Sequence, residues 1–255
     1  MEFEFCYLFV IWNLSFGIFV RLHRFIGDFD FNRKNVEITD EDFINQFRKV
    51  LRFKPGDRVI LGNGKMEEAL AEIAEIGKDF ILVKILELRL NKNESEKDVV
   101  LYCSILKREN FELVVQKATE IGIKKIVPIV AARTVKFLAK NSRLEKIAKE
   151  AAEQSGRGIV PAIEDAIVFS KAIEKSKEND LNLFFDFSGA AFENVKQNIA
   201  SARKIGIFIG PEGGWDDKEI ETARNAENFK IALLGNLSLR AETAAIVSSY
   251  IVVNC

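Results

Sequence analysis

The chain has 255 residues, enough for one large domain or two smaller ones, and its 48% apolar and 29% charged residues are typical of a soluble globular protein. Its three cysteines lie far apart and its only histidine is His23, so we expect no disulfide framework, zinc site or histidine-based hydrolase triad. The net charge of −1 is low for a nucleic-acid binder, and the cysteine usage favours a reducing cytoplasm and no bound metal.

Residues 1–19 form an apolar leader that contains no Lys or Arg. It lacks the basic start and the small-residue cleavage site of a signal peptide. Its length is borderline for a membrane anchor, and Asn13, Ser15 and Gly17 interrupt it, which argues against membrane insertion. A start at Val20, encoded by GTG, would place the leader outside the native protein, and N-terminal mass spectrometry would decide this.

Short extended runs separated by turn residues fill positions 35–90. "KPGDRVILGNGK" contains an apolar strand between a Pro-Gly and an Asn-Gly turn, and "KDFILVKILELRL" alternates as a strand does. "EEALAEIAEI" between them is ambiguous, because Ala and Glu favour a helix while the flanking glycines leave room for a strand. We predict a small β-rich domain over residues 20–90, followed by a polar linker at 91–98.

After the linker, strands alternate with helices. Apolar residues at helical spacing, from Phe111 to Ile121, predict a helix before Gly122, and Ser142 with Glu145 has capping-box spacing at the start of a second helix that ends at Gly156. This order predicts an α/β domain over 99–255 with a parallel sheet and ligand sites beyond the carboxyl ends of its strands. The predicted strands are "VVLYCSIL", "IKKIVPIV", "LNLFFDF", "KIGIFIG" and "FKIALLG", and the last helix is "AETAAIVSSYIVV".

Two loops at predicted strand ends have an unusual composition: "IGPEGGW" at 209–215 and "LLGNLSLRAETA" at 233–244. Their glycines let a ligand approach the backbone closely. Glu212 would repel a phosphate but would attract a cation or accept hydrogen bonds from hydroxyls and amines. The loops are either tight turns or a ligand site, and the ligand need not be anionic.

These loops, together with "QKATEIGIKKIVPIVAART" at 116–134 and "EAAEQSGRGIVPAI" at 150–163, resemble the RsmE family of the SPOUT superfamily. The resemblance runs from Arg21 to the C-terminus. It implies a PUA-like β-barrel followed by an α/β domain with a C-terminal trefoil knot. It also implies S-adenosylmethionine-dependent methylation of a uridine at N3 in the 16S ribosomal RNA of the small subunit, by a homodimer that pairs through the last helix.

The resemblance also implies the site residues. Arg240 would stabilise negative charge on the uracil oxygens, and Glu242 would be either the general base or a helix cap. Alternatively, both residues only stabilise the loop. The family usually has Pro and Arg where this chain has Asn236 and Leu237, so the shape of that loop is an open question. The cofactor would contact Phe187, Gly210, Glu212, Gly213, Leu234, Gly235, Leu239 and Thr243.

The basic residues are unevenly distributed. Residues 101–160 contain twelve Lys or Arg and six Asp or Glu, so this part could form a face that contacts phosphates, although runs of charge are usually solvated surface. From this excess we predict RNA contacts at Lys107, Arg108, Arg133 and Arg157. The resemblance implies two more, Arg21 and Arg24, which could otherwise be a basic strand edge.

Two alternative functions are consistent with the sequence. A SPOUT enzyme that methylates another RNA position would share all these motifs. A catalytically inactive RNA-binding factor of ribosome assembly would share the fold, and the departure at 236–237 is the observation in its favour. A Rossmann dehydrogenase lacks support because no G-x-G-x-x-G follows an early strand.

Overall fold

The computed structural model describes residues 22–135 and 141–255. The predictions for the leader at 1–19 and for Arg21 therefore fall outside the described residues. Within these two ranges, no helix combines the length and the apolar character needed to cross a membrane.

The first part of the chain forms a five-stranded sheet in the order β1-β3-β4-β5-β2. β1 and β3 are parallel, and the other neighbours are antiparallel. The ambiguous segment "EEALAEIAEI" is strand β4: Ala69, Ala71 and Ile73 are buried at every second position, as on one face of a strand. The strands are β1 (Arg24–Ile26), β2 (Asn35–Ile38), β3 (Arg58–Gly62), β4 (Glu67–Ile76) and β5 (Ile81–Leu90).

A short helix, α1 (Glu41–Asn45), and a π-helical turn, Gln46–Val50, cover the core of this sheet. Asp40 caps α1 by accepting a hydrogen bond from the backbone N–H of Phe43. The ring of Phe47 is fully buried against that of Phe25, with 4.4 Å between ring centroids. The β-rich character predicted for this part of the chain is therefore confirmed.

The rest of the chain forms a parallel sheet in the order β12-β10-β11-β6-β7-β8, with β9 also paired to β7. All of its strand pairs are parallel, as the alternation of strands and helices predicted. Its strands are β6 (Asp98–Ser104), β7 (Lys125–Val130), β8 (Ala162–Ile163), β9 (Ile167–Val168), β10 (Leu181–Ala191), β11 (Lys204–Ile209) and β12 (Phe229–Leu233).

Helices cover both faces of this sheet. α2 ends at Gly122, whose φ of 114° is the left-handed geometry that favours glycine. The described part of α3 begins at Asn141, so Ser142 lies inside the helix and not before it, and the predicted capping box is wrong there. The helices are α2 (Arg108–Ile121), α3 (Asn141–Ser155), α4 (Phe169–Lys175), α5 (Lys196–Ser201), α6 (Asp217–Arg224) and α7 (Ala241–Val253), with 3₁₀ turns at Ser176–Glu178 and Phe192–Asn194.

The segment 91–98 connects the two sheets, and hydrogen bonds hold it in place. The amide nitrogen of Asn91 donates to the carboxylate of Glu68 and to the carbonyl of Gly156, both at 3.0 Å. The backbone N–H of Ile26 donates to Glu153 at 2.8 Å, which joins β1 directly to α3. Polar contacts therefore fix the two sheets against each other at this junction.

Two residues predicted to contact RNA belong to this junction instead. Arg157 is 5% exposed, and its guanidinium donates to both carboxylate oxygens of Glu94 and to the carbonyls of Thr119 and Ile123. A buried cation requires such partners, and they leave Arg157 unavailable to a phosphate. The prediction for Arg157 is therefore wrong.

Arg24 is the second of these residues. Its side chain is 10% exposed and forms an ion pair with the buried carboxylate of Glu68, which also accepts a hydrogen bond from Arg89 at 2.6 Å. These donors lower the pKa of Glu68 in spite of its burial. Arg24 therefore neutralises a buried acid at the junction, and the structure corrects its predicted role as an RNA contact.

Candidate active site

The carboxyl ends of four neighbouring strands surround one cavity. β12, β10, β11 and β6 are adjacent and parallel, so their following loops meet at one edge of the sheet. The cavity has a volume of about 800 Å³, within the usual range for a small-molecule site. It is lined by residues of β10 and by residues that follow β6, β11 and β12, among them Lys107, Asn110, Phe185, Asp186, Phe187, Gly210, Glu212, Gly213, Trp215, Leu234, Gly235, Leu237, Leu239, Arg240, Ala241, Glu242 and Ala244.

Trp215 holds the first glycine-rich loop, 210–215, against the sheet. Its indole N–H donates to the carbonyl of Phe185 at 3.1 Å, and its ring stacks on Phe184 with 4.5 Å between centroids. A Cβ at Gly210 would lie 3.0 Å from the indole nitrogen, which is closer than ordinary van der Waals contact. Glycine is therefore needed at 210 because the loop folds back over its own tryptophan.

The acidic residues after this loop stabilise a helix end. Asp216 and Glu219 form a capping box at the start of α6, and the second carboxylate oxygen of Glu219 accepts the backbone N–H of Ala132 at 2.9 Å. The N-terminus of α6 is thus satisfied by its own side chains. It does not offer the free N–H groups that bind phosphates in other glycine-rich loops.

Glu212 connects two parts of the cavity wall. Its carboxylate accepts the backbone N–H of Lys107, the N-cap residue of α2, at 3.0 Å. The same side chain is exposed and lines the cavity. Glu212 therefore fixes the loop to α2 and presents negative charge to the site.

The second glycine-rich loop leads into α7 through Arg240 and Glu242. The side chain of Arg240 is 86% exposed, and its Nη1 lies 3.9 Å from Oε1 of Glu242. Glu242 is 8% exposed, and its Oε2 is buried without a hydrogen-bond partner. The described structure gives Glu242 no hydrogen bond to the helix backbone, so the predicted alternative of a helix cap is not supported.

Seven of the eight predicted cofactor contacts line the cavity, and so do Arg240 and Glu242. The exception is Thr243, which is exposed and outside the lining. Successive residues of a helix point about 100° apart, so Ala241, Glu242 and Ala244 face the cavity while Thr243 points away. A cofactor contact at Thr243 therefore stays a prediction without support from the cavity lining.

Some lining residues that were not predicted have a recognisable signal in the sequence. Asp186 is the first polar residue after the buried stretch of β10, and Trp215 ends the quoted loop motif. Lys107 was predicted to bind RNA, but it also lines the cavity beside Asn110. Nothing in the sequence alone places the start of α2 next to the 210–215 loop.

Cys103 lies at the end of β6, close to the cavity, but is fully buried. Burial raises the pKa of its thiol, and the nearby carboxylate of Glu212 raises it further. The thiol therefore stays protonated and is a poor nucleophile. Within residues 22–135 and 141–255, no group of His, Cys, Asp and Glu side chains is arranged to hold a metal.

The fold and the cavity define a class of protein: an α/β ligand-binding domain joined to a smaller β-rich domain. Two family models match the chain, an RNA methyltransferase domain over residues 92–253 and an RNA methyltransferase PUA domain over residues 47–86. The chain belongs to the RNA methyltransferase family, which confirms the family and the enzyme class predicted from the loop motifs.

Individual relatives support this family assignment. The Ribosomal RNA small subunit methyltransferase E of Rickettsia conorii is 36% identical over 217 residues, which cover 84% of this chain and 87% of that protein. The crystal structure of the same-named protein from Neisseria gonorrhoeae, bound to S-adenosyl methionine, is 27% identical with a TM-score of 0.82, covering 89% of this chain and 95% of that one. A methyltransferase of Legionella pneumophila with bound SAM is 25% identical with a TM-score of 0.83, covering 91% and 97%.

Proposed function

We propose that the chain transfers the methyl group of S-adenosylmethionine to N3 of a uridine in the 16S ribosomal RNA of the small subunit, in the cytoplasm. The observation that carries the proposal is Glu242, a residue of the cavity lining whose Oε2 is buried without a hydrogen-bond partner in the described structure. A buried carboxylate is costly unless a ligand supplies a donor or a positive charge. Both the N3–H of uridine and a cationic cofactor meet that need.

The charges around the cavity fit S-adenosylmethionine. Its lining contains three carboxylates, Asp186, Glu212 and Glu242, and two cations, Lys107 and Arg240. This cofactor carries a sulfonium, an amino group and hydroxyls but no phosphate, which suits a site with an excess of acidic groups. Cofactor contacts are proposed for Phe187, Gly210, Glu212, Gly213, Leu234, Gly235 and Leu239.

In the proposed reaction, bound S-adenosylmethionine supplies an electrophilic methyl group. Glu242 accepts the N3 proton, for which its partner-free oxygen is suited. Arg240 stabilises the negative charge that develops on the uracil oxygens. The cavity walls align the reactants, and alignment alone contributes several kcal/mol to such reactions.

The activity is tested with the purified full chain, labelled S-adenosylmethionine and small ribosomal subunits from a strain that lacks the modification. Nucleoside mass spectrometry of the 16S RNA is expected to detect 3-methyluridine at one position. Another methylated nucleoside would support the alternative of a related enzyme with a different target. An absence of both methylation and cofactor binding in calorimetry would indicate an inactive assembly factor.

Glu212→Gln is expected to weaken S-adenosylmethionine binding about tenfold, because a charge-assisted interaction becomes a neutral one. The glutamine carbonyl can still accept the N–H of Lys107, so the loop should keep its place. Glu212→Ala removes that bond too and should also lower the melting temperature. Titration calorimetry and thermal unfolding measure the two effects, and wild-type affinity in the Gln variant would limit Glu212 to a structural role.

A homodimer through α7 is part of the proposal. Within one chain, α7 buries the face that carries Ala245, Ser248 and Val252, whereas Tyr250 is 61% exposed on a mostly apolar helix. Leu113 on the neighbouring α2 is also 38% exposed. A second copy would cover this surface.

Tyr250→Arg is expected to convert the dimer to a monomer, because association would then bury an unpaired charge. Light scattering at micromolar concentration measures the state of wild type and variant. A wild-type monomer would contradict the proposed dimer.

The finer architecture is also proposed from the resemblance: a PUA-like domain at 20–90, a connection at 91–98 and a SPOUT domain at 99–255 whose C-terminal part forms a trefoil knot. Support comes from the change of sheet after β5 and from the position of both glycine-rich loops beside one cavity. An experimental trace of the chain through residues 180–255 tests the knot.

A further inference from the structure

A compact cluster of charges on α2 and α3 begins at Arg108, the residue after the cavity-lining Lys107. The carboxylate of Glu112 accepts two hydrogen bonds from Arg143, at 2.5 Å from Nε and 2.7 Å from Nη2, and one from Nε of Arg108 at 3.0 Å. The side chains of Arg108 and Arg143 are 52% and 54% exposed, whereas that of Glu112 is only 15% exposed. We refer to these three residues as the arginine cluster.

The cluster leaves donors available. In the described structure, Arg108 uses only its Nε, and Arg143 keeps its Nη1 free. Both guanidinium groups are therefore held by one edge, and their remaining N–H groups have no acceptor among residues 22–135 and 141–255. Guanidinium N–H groups in a fixed plane match the oxygens of a phosphate.

The charge and position of the cluster favour an anionic ligand near the cavity. Hydrogen bonds from Arg143, with a smaller contribution from Arg108, lower the pKa of Glu112 to about 2, so it is ionised at neutral pH. Two cations and one anion leave a net charge of +1. Lys107, next to Arg108 in the chain, lines the cavity. Exposed ion pairs contribute little to stability, so a contribution to folding does not by itself explain why these three side chains are arranged together.

We propose that the arginine cluster binds a phosphodiester of the RNA substrate near the cavity, with Glu112 as the positioning residue that holds both guanidinium groups in place. The inference rests on the proposed function, because it needs an RNA whose target nucleotide enters the cavity. It adds Arg143 and Glu112 to the RNA-contacting surface, and it gives an acidic residue a role in binding an anion.

The role of Glu112 can be tested by asking whether neutralising it strengthens or weakens RNA binding. If only net charge mattered, Glu112→Gln would remove a negative charge near the RNA and tighten binding. If Glu112 positions the arginines, the same change should weaken binding, because a neutral amide holds two guanidinium groups less firmly. Glu109→Gln, on the exposed first turn of the same helix, removes the same charge without touching the cluster and is the matched control.

The experiment measures the affinity of the full chain for small ribosomal subunits lacking the modification, by filter binding over a range of salt concentrations. We expect Arg108→Ala and Arg143→Ala each to lower the salt slope by about 0.7 to 0.9, the range for one phosphate contact on single-stranded or duplex nucleic acid. Glu112→Gln should lose up to about tenfold in affinity, which is the cost of one charged hydrogen bond. Glu109→Gln should bind as well as wild type or better. Arg143→Lys keeps the charge but not the planar set of guanidinium N–H donors, so it should lose affinity too.

Tighter or unchanged binding by Glu112→Gln, equal to that of Glu109→Gln, would overturn the positioning role. Wild-type affinity of both arginine-to-alanine variants would overturn the phosphate site. Binding of S-adenosylmethionine and formation of 3-methyluridine by the wild type are measured separately, so a failure of the proposed function is distinguished from a failure of the cluster. Thermal unfolding confirms that each variant is folded.

Discussion

Arg240→Ala is expected to lower kcat for methyl transfer by about 100- to 1000-fold, the usual cost of removing one donor that stabilises transition-state charge. The side chain lines the cavity but is 86% exposed, and its one ion pair, to Glu242, is long at 3.9 Å. It is therefore free to approach the uracil oxygens as charge develops there. Single-turnover rates at saturating cofactor and small subunits measure the effect.

Affinity for S-adenosylmethionine and the melting temperature should change little, because an exposed side chain contributes little to folding. Arg240→Lys should recover part of the rate, since it keeps the charge but not the planar fork. Arg203→Ala, just before β11 and thus at the opposite edge of the sheet, is the matched control and should retain full activity. A rate near that of wild type for Arg240→Ala would remove Arg240 from the chemistry.

Local patterns predicted the elements of the fold well. The apolar runs that became β10, β11 and β12 are buried in the sheet, and glycine at 122 and 156 ends the two long helices as expected. The segment 67–76 could not be assigned from its own residues, because Ala and Glu favour a helix there. Pairing with β3 on one side and β5 on the other makes it a strand, and tertiary contacts override local preference.

The errors have a common physical cause: the sequence gives a residue's charge but not its partner. Arg157 and Glu94 are 63 residues apart, and Arg24 and Glu68 are 44 apart, yet each pair is buried at the junction of the two sheets. The same limit applies to Glu212, whose hydrogen bond to Lys107 spans 105 residues. Exposure, which decides whether a cation can reach RNA, follows from contacts of this kind.

The site was predictable to the extent that it is made of contiguous loops. Both glycine-rich loops were candidates for a ligand site, and both line the cavity. The orientation of α7 was not predictable at the level of single residues, so Thr243 was assigned to the cofactor although it points away. The burial of Glu242 could not be predicted from the sequence either.

Glu242→Gln is expected to change activity and stability in opposite directions. As the proposed general base, Glu242 should contribute about 100- to 10,000-fold to the rate, and an amide cannot accept the proton. The unpartnered, buried Oε2 costs folding free energy that a neutral side chain reduces. A gain of about 1 kcal/mol would raise the melting temperature by about 2–4 °C.

Glu219→Gln is the matched control for this result. Glu219 is also 8% exposed and in the first turn of a helix, but its two oxygens accept the N–H groups of Asp216 and Ala132, both at 2.9 Å. Neutralising it weakens two bonds, so its melting temperature should fall while that of Glu242→Gln rises. Calorimetry with S-adenosylmethionine separates the roles at Glu242: unchanged affinity with a lost rate fits a base, whereas a lost affinity assigns the carboxylate to the cofactor. A lower melting temperature with normal activity in Glu242→Gln would contradict both expectations and would show that the carboxylate stabilises the fold and is not the base.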